Sequence, residues 1–525
     1  MNTRLCKTIA TVEISQKTLM NLDLIRLCRE FFIQGNLISD DGIASFFTKY
    51  LTRDAGEIKR RNEILGQLRM NKDSMQLIDA INKKNEQLFH SLSVLNHPTR
   101  LLMYCSHMRY ALEGYINTVN CMERLFTPET SPAFIEIAGF IRRQKDSSVF
   151  HEIQDGLLQA GKILMPLDNI TLAVNMSESG QAVQIGVTGI NSGFSVLTGI
   201  FDNSQEINSL CSAAPVKLRG SLSYLEEYII SEVEKQWVAP LNAVKRIYAK
   251  IDLEKLRNWC TWLESMDLYH KGLLFWDKLE IAGCIVCQPE PCPDEVSAYG
   301  MYYPHLSLTA PIPVPQSFGF SLSDTVIITG ANGSGKTSAL KSFTQNCVLA
   351  QLGFWIPAKV FRFIPYRQWY TIFSAGEDKQ MRASRYQQEA EMMRHCLEIA
   401  NPDVCLLFNE PFTSTNPLEA AGLLCNIITK LHRKNVTLII VTHIFDVYQS
   451  LKQESGIAMR SYVAGKQQEA NRLNHTYSLE EKEPDGLSYA RLLAQKYGFS
   501  LSELLEDAAE IDALEVFMTE CAVHA

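Results

Sequence analysis

The sequence predicts a multidomain chain: a mostly α-helical region carrying a small β insertion, then an α/β domain, then a helical C-terminal tail. Three observations carry this. The first half repeats apolar residues three and four apart with almost no Gly or Pro punctuation. A β-branched run broken at Ser179-Gly180 interrupts that pattern. Beyond residue 290, short apolar runs alternate with helical patterns, as in a sheet with crossover helices.

At 525 residues the chain outgrows a single hydrophobic core, so roughly two to four units are expected. Hydrophobic residues make up 46% and charged residues 21%, a balance that excludes the disordered and collagenous classes. The N-terminal MNTRLCKTIATVEISQKTLMNL has no apolar signal-like core, and no stretch of about 18 residues is apolar enough to span a bilayer. A cytoplasmic chain without a membrane partner is the expectation. The 14 cysteines fit reduced, mostly buried thiols in a reducing compartment. A net charge of -8 argues against broad nucleic-acid coating, so contact with a polyanion needs a local patch. The first 150 residues hold a modest basic excess, with Lys59, Arg60 and Arg61 and the group Arg142, Arg143 and Lys145. Most such runs are solvated faces.

In order along the chain, segments such as LIRLCREFF and SMQLIDAINKKNEQLFHSL predict helices over 12–130. ITLAVNMSESGQAVQIGVTGI predicts a hairpin at about 168–200, and long periodic segments resume over 222–281. Prolines cluster from Pro289 to Pro315, which interrupts helix and reads as a connection. The divisions expected are therefore 1–290, 291–485 and 486–525, the last reading as two helices joined at Gly498.

The strongest motif is TVIITGANGSGKTSALKSF. A β-type run leads into Gly330, Ala331, Asn332, Gly333, Ser334, Gly335, Lys336, Thr337 and Ser338, and then into a helical pattern. This satisfies G-x4-G-K-[ST], the P-loop of nucleotide-binding proteins. Glycines let the backbone curl its N–H groups toward phosphate oxygens at a helix N-terminus. Lys336 supplies positive charge to the β- and γ-phosphates of ATP, and Thr337 offers a hydroxyl to Mg2+. A second apolar run, Val404 to Phe408, ends in Asn409-Glu410, the position of a Walker B acid pair. Glu410 is the candidate to activate the attacking water, while Asn409 stands where a metal-linked acid is usual. An amide accepts a hydrogen bond from metal-bound water without the charge, which predicts slow turnover or an ATP-held switch. A third run, Val436 to Val441, precedes Thr442-His443, whose imidazole suits a γ-phosphate sensor. Cys284, Cys287 and Cys292 offer C-x2-C and a third thiol, but no fourth Cys or His lies close behind, so a metal is the lesser reading.

These residues resemble the MutS family of DNA-clamp ATPases. The run Gly353-Phe-Trp-Ile-Pro357-Ala358 is similar to the family's G-x-x-x-P-A, and Ser384 to Glu389 keeps the spacing of its Ser-Thr-Phe-x-x-Glu loop. Asn409-Glu410-Pro-Phe-Thr413-Ser414-Thr415 resembles its Asp-Glu-x-x-x-x-Thr-Ser-Thr run with a contraction, and Val441-Thr-His443-Ile-Phe445 its Ala-Thr-His-Tyr-Phe. Leu487-Ser-Tyr489-Ala-Arg-Leu-Leu-Ala resembles its subunit-contact helix, and the runs from Thr18 to Leu24 and Ile38 to Leu51 resemble its helical core. The resemblance implies a core and lever region, an ABC-type ATPase domain and a C-terminal dimerisation segment. It implies ATP and Mg2+, and a dimer, homodimeric in the simplest case, in which Ser384 meets the γ-phosphate bound by the other subunit. It also implies DNA, recognised by structure rather than base sequence, protein partners in repair or recombination, and a nucleoid-associated place in a bacterium. Gly333-Ser334 departs from the family's Met-Gly, and Asn409 from its acid.

Only about ten residues precede the core-like sequence, so no room is expected for a mismatch-reading domain. The Phe-x-Glu triplets at Phe134 and Phe150 fall in helical sequence, which does not suit a base-unstacking wedge. The same nucleotide motifs fit an ABC-type ATPase acting on a protein partner, and Asn409 fits a nucleotide-gated scaffold.

Overall fold

The structure, a computed structural model, describes residues 5–6, 11–32, 39–97, 100–127, 131–164, 170–176, 182–190, 230–231, 233–309, 312–373, 385–413, 416–453, 456–469 and 472–484. It is mostly helical with mixed sheets and divides into two compact units, residues 1–5 with 67–270 and residues 6–66 with 271–525. Among the described residues no helix is long and apolar enough to cross a membrane.

The chain opens with β1 (Glu13–Ile14), α1 (Gln16–Asn21), α2 (Leu24–Phe32), α3 (Asp40–Tyr50) and α4 (Ala55–Met70). Ser15 caps α1 by accepting the Thr18 N–H at 3.1 Å, and Ser39 caps α3 by accepting that of Gly42, also at 3.1 Å. The first unit follows with α5 (Ser74–Val94), α6 (Leu101–Leu125), α7 (Pro132–Lys145) and α8 (Ser148–Leu164). The antiparallel hairpin of β2 (Ile170–Met176) and β3 (Ala182–Ile190) comes next, then α9 (Val238–Tyr248) and α10 (Leu253–Leu263). The hairpin thus stands where the alternating pattern put it.

Along α6, Met108, Leu112, Tyr115, Val119 and Met122 recur three and four apart and are all buried. Each such side chain contributes about 1.5–3 kcal/mol by leaving water. The core needs a polar bond too. Trp259 donates its indole N–H to the Thr118 hydroxyl at 2.9 Å, and that hydroxyl in turn donates to Gly114 and Tyr115 carbonyls. Phe134 and Phe150 are buried in α7 and α8, at 4% and 2% exposure, so neither ring is available to a base step.

The second unit resumes with α11 (Met266–Ile281), which begins just before the division, then β4 (Glu290–Pro291), β5 (Glu295–Met301), α12 (Pro304–Thr309), β6 (Gln316–Ser321) and β7 (Thr325–Thr329). It continues through α13 (Lys336–Leu352), β8 (Val360–Phe363), β9 (Gln368–Phe373), α14 (Arg385–Ile399) and β10 (Val404–Asn409). It ends with α15 (Pro417–His432), β11 (Thr437–Val441), α16 (Phe445–Gln453), β12 (Met459–Glu469) and β13 (Arg472–Glu481). Seven strands form one sheet in the order β1-β9-β10-β11-β7-β12-β13, parallel except for the last pair. Parallel strands buried on both faces read as continuous apolar runs, and TVIIT, VCLLF and TLIIV are buried throughout.

The proline-rich stretch differs from the connection its composition suggested. It supplies two strands of a four-stranded sheet, β4-β8-β5-β6. Pro291 is accommodated because β4 is a two-residue strand at the sheet edge, where a missing N–H costs no ladder bond.

Helix α13 is buried along nearly its whole length, polar side chains included. Gln345 donates to the Leu22 carbonyl at 2.6 Å, Gln351 to the Tyr366 carbonyl at 2.7 Å, and Asn346 to the Tyr302 carbonyl at 2.9 Å. Lys341 pairs with Asp23 at 2.6 Å. The N-terminal helices thereby fix the helix that begins at the glycine loop.

Candidate functional site

The glycine loop runs from the end of β7 into α13, and three of its residues have positive φ: Gly330 at 143°, Gly333 at 76° and Gly335 at 92°. A Cβ on Gly330 would lie 2.8 Å from the Ala464 Cβ, so the loop passes too close to β12 for a larger residue. Gly335 is the N-cap of α13, which leaves the first amides of a 17-residue helix facing the loop.

A cavity of about 640 Å³ opens over this helix N-terminus, of a size typical for small-molecule sites. Residues Asn332 to Ser338 line it on one side, with Glu410. Tyr303, Ile312, Val314, Gln316 and Tyr477 are among its other walls. The Ser334 hydroxyl is buried and has no hydrogen-bond partner among the described residues. An unpaired buried donor on a cavity wall suits an oxygen-rich ligand.

Lys336 is 3% exposed; its ammonium donates to the Gly330 and Ala331 carbonyls, both at 2.9 Å, and lies 3.8 Å from the Glu410 carboxylate. Burial lowers its pKa below the ordinary lysine value, and the Glu410 charge opposes that shift. Thr337 donates its hydroxyl to the Asn409 side-chain oxygen at 2.9 Å. Two neutral oxygens from the P-loop and the β10 end therefore converge, the donor set a hard cation takes when part of its shell is water and phosphate.

Past β10 the backbone is strained. Glu410 and Phe412 have φ of 51° and 58°, a region non-glycine residues rarely occupy. The Glu410 N–H donates to the Val441 carbonyl at 2.8 Å, and the Phe412 N–H to the buried Glu389 carboxylate, also at 2.8 Å. Glu389, from α14, thus fixes the turn that aims Glu410 at the cavity.

Of the residues picked from sequence, Lys336, Thr337, Asn409 and Glu410 come together here. His443 sits exposed in the loop after β11 and is not among the lining residues. Ser384, Ser414, Thr415 and the segment 485–525 lie outside the described residues. The sequence reading missed Tyr477, Gln316 and Ile312, since no local motif marks them. Cys287 exchanges backbone hydrogen bonds with Ile356, and burial raises the thiol pKa to about 11. Among the described residues no group of three or more His, Cys, Asp or Glu is placed to hold a metal ion. The basic run at 59–61 is partly consumed: Arg61 is buried against Glu57 at 2.9 Å, and Arg60 reaches the same carboxylate at 3.6 Å.

A parallel sheet, a glycine loop at a helix N-terminus and an acid just past the end of a strand of the same sheet are elements with which proteins hold a nucleoside triphosphate. Comparison with known proteins points to a family. The model of MutS domain V matches residues 326–513. The chain is 33% identical over 179 residues to "Endonuclease MutS2" of Pelotomaculum thermopropionicum, covering 33% of this chain and 22% of that protein. It is 30% identical over 214 residues to the Streptococcus suis protein of the same name, covering 39% and 26%. To the human "MutS protein homolog 4" it is 28% identical over 125 residues, covering 24% and 13%. Residues 326–513 thus match MutS domain V, and the chain is similar to proteins of the MutS family. It matches about a quarter or less of the length of these relatives.

Proposed function

We propose that the second unit binds and hydrolyses ATP, and that hydrolysis gates a dimeric, DNA-binding clamp acting in mismatch repair or recombination without reading mispairs itself. The observation that carries the nucleotide reading is that Lys336, Thr337 and Glu410 line one cavity at the start of α13, with Asn409 accepting the Thr337 hydroxyl beside them. The triphosphate lies along Gly333 to Thr337, where amides, the Ser334 hydroxyl and Lys336 supply donors. Thr337 and Asn409 would hold Mg2+, which would neutralise phosphate charge there. Glu410 accepts the proton of the attacking water, held toward it by the strained turn. The base rests on the apolar side formed by Ile312, Val314 and the Tyr477 ring. Ser384 from the partner subunit completes the site around the γ-phosphate, and His443, outside the cavity lining, senses that phosphate from the loop after β11.

Similarity to a protein named "Mitochondrial DNA mismatch repair protein mutS homolog", from Sarcophyton glaucum, supports DNA as the polymer, and the burial of Phe134 and Phe150 removes these two rings as candidate wedges. With a net charge of -8 the contacts are a small set of phosphates. Binding is then salt-sensitive and indifferent to mispairs, with preference for branched shapes.

The test is steady-state ATP hydrolysis with and without matched, mismatched and four-way-junction DNA, beside Lys336→Ala. The expectation is DNA-dependent turnover that Lys336→Ala abolishes. Normal turnover in that variant refutes the site, and ATP binding with no DNA response in any nucleotide state refutes the clamp. Asn409 favours one further reading, a nucleotide-gated scaffold acting on a protein partner, distinguished by ATP-dependent dimerisation with no turnover.

A further inference from the structure

Between β12 and β13 the ladder slips. Ala464 pairs with Leu479 but Lys466 with His475, so one residue, Gly465, faces three, Thr476 to Ser478. Bulges of this kind re-aim a side chain and cost the strand its regular hydrogen bonds. The middle residue is Tyr477, with φ at 55°, a conformation a bulky aromatic residue adopts only when its surroundings impose it. Its side chain reaches the P-loop: a Cβ on Gly335 would lie 3.4 Å from the Tyr477 ring edge. The ring is 51% exposed and lines the cavity.

What imposes this conformation is Gln316, from β6 in the other sheet. Its amide donates to the Tyr477 carbonyl and, at 3.0 Å, to the Val314 carbonyl; its side-chain oxygen accepts the Leu479 N–H at 2.9 Å. The side chain is 7% exposed, with both ends committed. One amide thus ties Tyr477 and Leu479 of the bulged strand to the strand that follows Ile312 and Val314, which also line the cavity. No rotation of the glutamine satisfies all three bonds with Tyr477 released.

We propose that Gln316 is a positioning residue for nucleotide affinity: it holds the bulge at Tyr477 so that the tyrosine ring forms one wall of the subsite for the nucleotide base. This rests on the nucleotide reading above. Gln316 acts on the base end alone, since the phosphates are bound by α13 and the glycine loop, with which its side chain makes no hydrogen bond.

The experiment measures binding of magnesium–ATP and of inorganic tripolyphosphate to the full chain by calorimetry. The proteins are wild type, Gln316→Met, Gln316→Glu, Tyr477→Ala and Gln316→Met with Tyr477→Ala. Met keeps the shape and loses every bond, while Glu keeps the acceptor for Leu479 and sets a carboxylate against two carbonyls. Each Gln316 variant is expected to weaken ATP about five- to tenfold, the scale of one aromatic contact, and leave tripolyphosphate within about twofold. In the Tyr477→Ala background Gln316→Met should add nothing, because its route is already removed. Equal weakening of both probes, additive losses in the double variant, or unchanged ATP affinity each overturn the positioning role of Gln316. Wild-type protein that binds neither probe overturns the nucleotide reading, whereas intact wild-type binding with unaffected variants overturns Gln316 alone. Should Gln316→Met fail to fold, Gln316→Glu against Tyr477→Ala carries the same comparison.

Discussion

Gly353→Ala should destabilise the second unit by about 4 kcal/mol, a value that follows from one contact at the end of α13. Gly353 caps that helix at φ 88°, its N–H bonded to the Ala350 carbonyl at 2.9 Å and the next N–H, of Phe354, to Leu349 at 3.2 Å. An alanine in this left-handed position costs roughly 1–2 kcal/mol by itself. Its methyl would also lie 2.4 Å from the Arg61 Cβ, well inside contact distance. Arg61 has no retreat: it is 1% exposed, with its Nε on Glu57 at 2.9 Å and its Nη1 on the Tyr50 carbonyl. Displacing it approaches the loss of a buried ion pair, about 3–5 kcal/mol, of which partial relaxation spares some. Urea unfolding followed by tryptophan fluorescence measures this, with Trp276 and Trp355, stacked at 4.1 Å, as reporters in this unit. Gly422→Ala is the control. Gly422 lies within α15 with nothing within 4 Å of an added Cβ, so its change should be neutral or stabilise by up to ~1 kcal/mol. A loss under about 1 kcal/mol in Gly353→Ala would refute the argument that Arg61 is immovable.

Asn409→Asp keeps the acceptor for the Thr337 hydroxyl and adds a charge, so magnesium should bind the ATP complex about tenfold more tightly; superimposable magnesium titrations would remove Asn409 from the metal. Burial lowers the Lys336 pKa, so between its folded and unfolded values the unfolded chain holds more protons and stability rises with pH. Phosphates beside the ammonium raise that pKa again, and ATP binding should therefore take up protons as pH nears the lysine range. Calorimetry in buffers of different ionisation enthalpy reads this, and buffer-independent heats at alkaline pH would contradict it. In the first unit, Thr118→Val removes the acceptor of the buried Trp259 N–H and should cost about 1–3 kcal/mol in denaturant unfolding; a cost near zero would mean the indole finds another partner.

How legible the fold was depended on whether an element repeats a local rule. The strands of the parallel sheet announce themselves because burial on both faces makes TVIIT, VCLLF and TLIIV uniformly apolar. The hairpin of β2 and β3 was visible as an alternating run broken in sequence at Ser179-Gly180. The proline-rich stretch was not legible as strands, because its two-residue β4 owes its form to β8, about 70 residues away in sequence. Nor does the sequence of α13 betray its burial: Gln345, Asn346 and Gln351 are of types usually left in water, and only the carbonyls of Leu22, Tyr302 and Tyr366 show where those amides go.

The candidate site divides along the same line. Lys336 and Thr337 sit in a contiguous motif because one loop must curl around one group of phosphates, and Glu410 was found because it directly follows a strand of the same sheet. Tyr477 and Gln316 carry no such mark. They lie 161 residues apart, in different sheets, and acquire their relation only when β13 bulges and β6 passes beside it. Phosphate geometry is the same in every nucleoside triphosphate, which favours a fixed local sequence; the base end tolerates any apolar surface of the right shape, which does not. A site of this type therefore exposes its phosphate half to sequence reading and conceals its base half in tertiary contacts. The residues most worth altering to separate affinity for the base from affinity for the phosphates are those no motif includes.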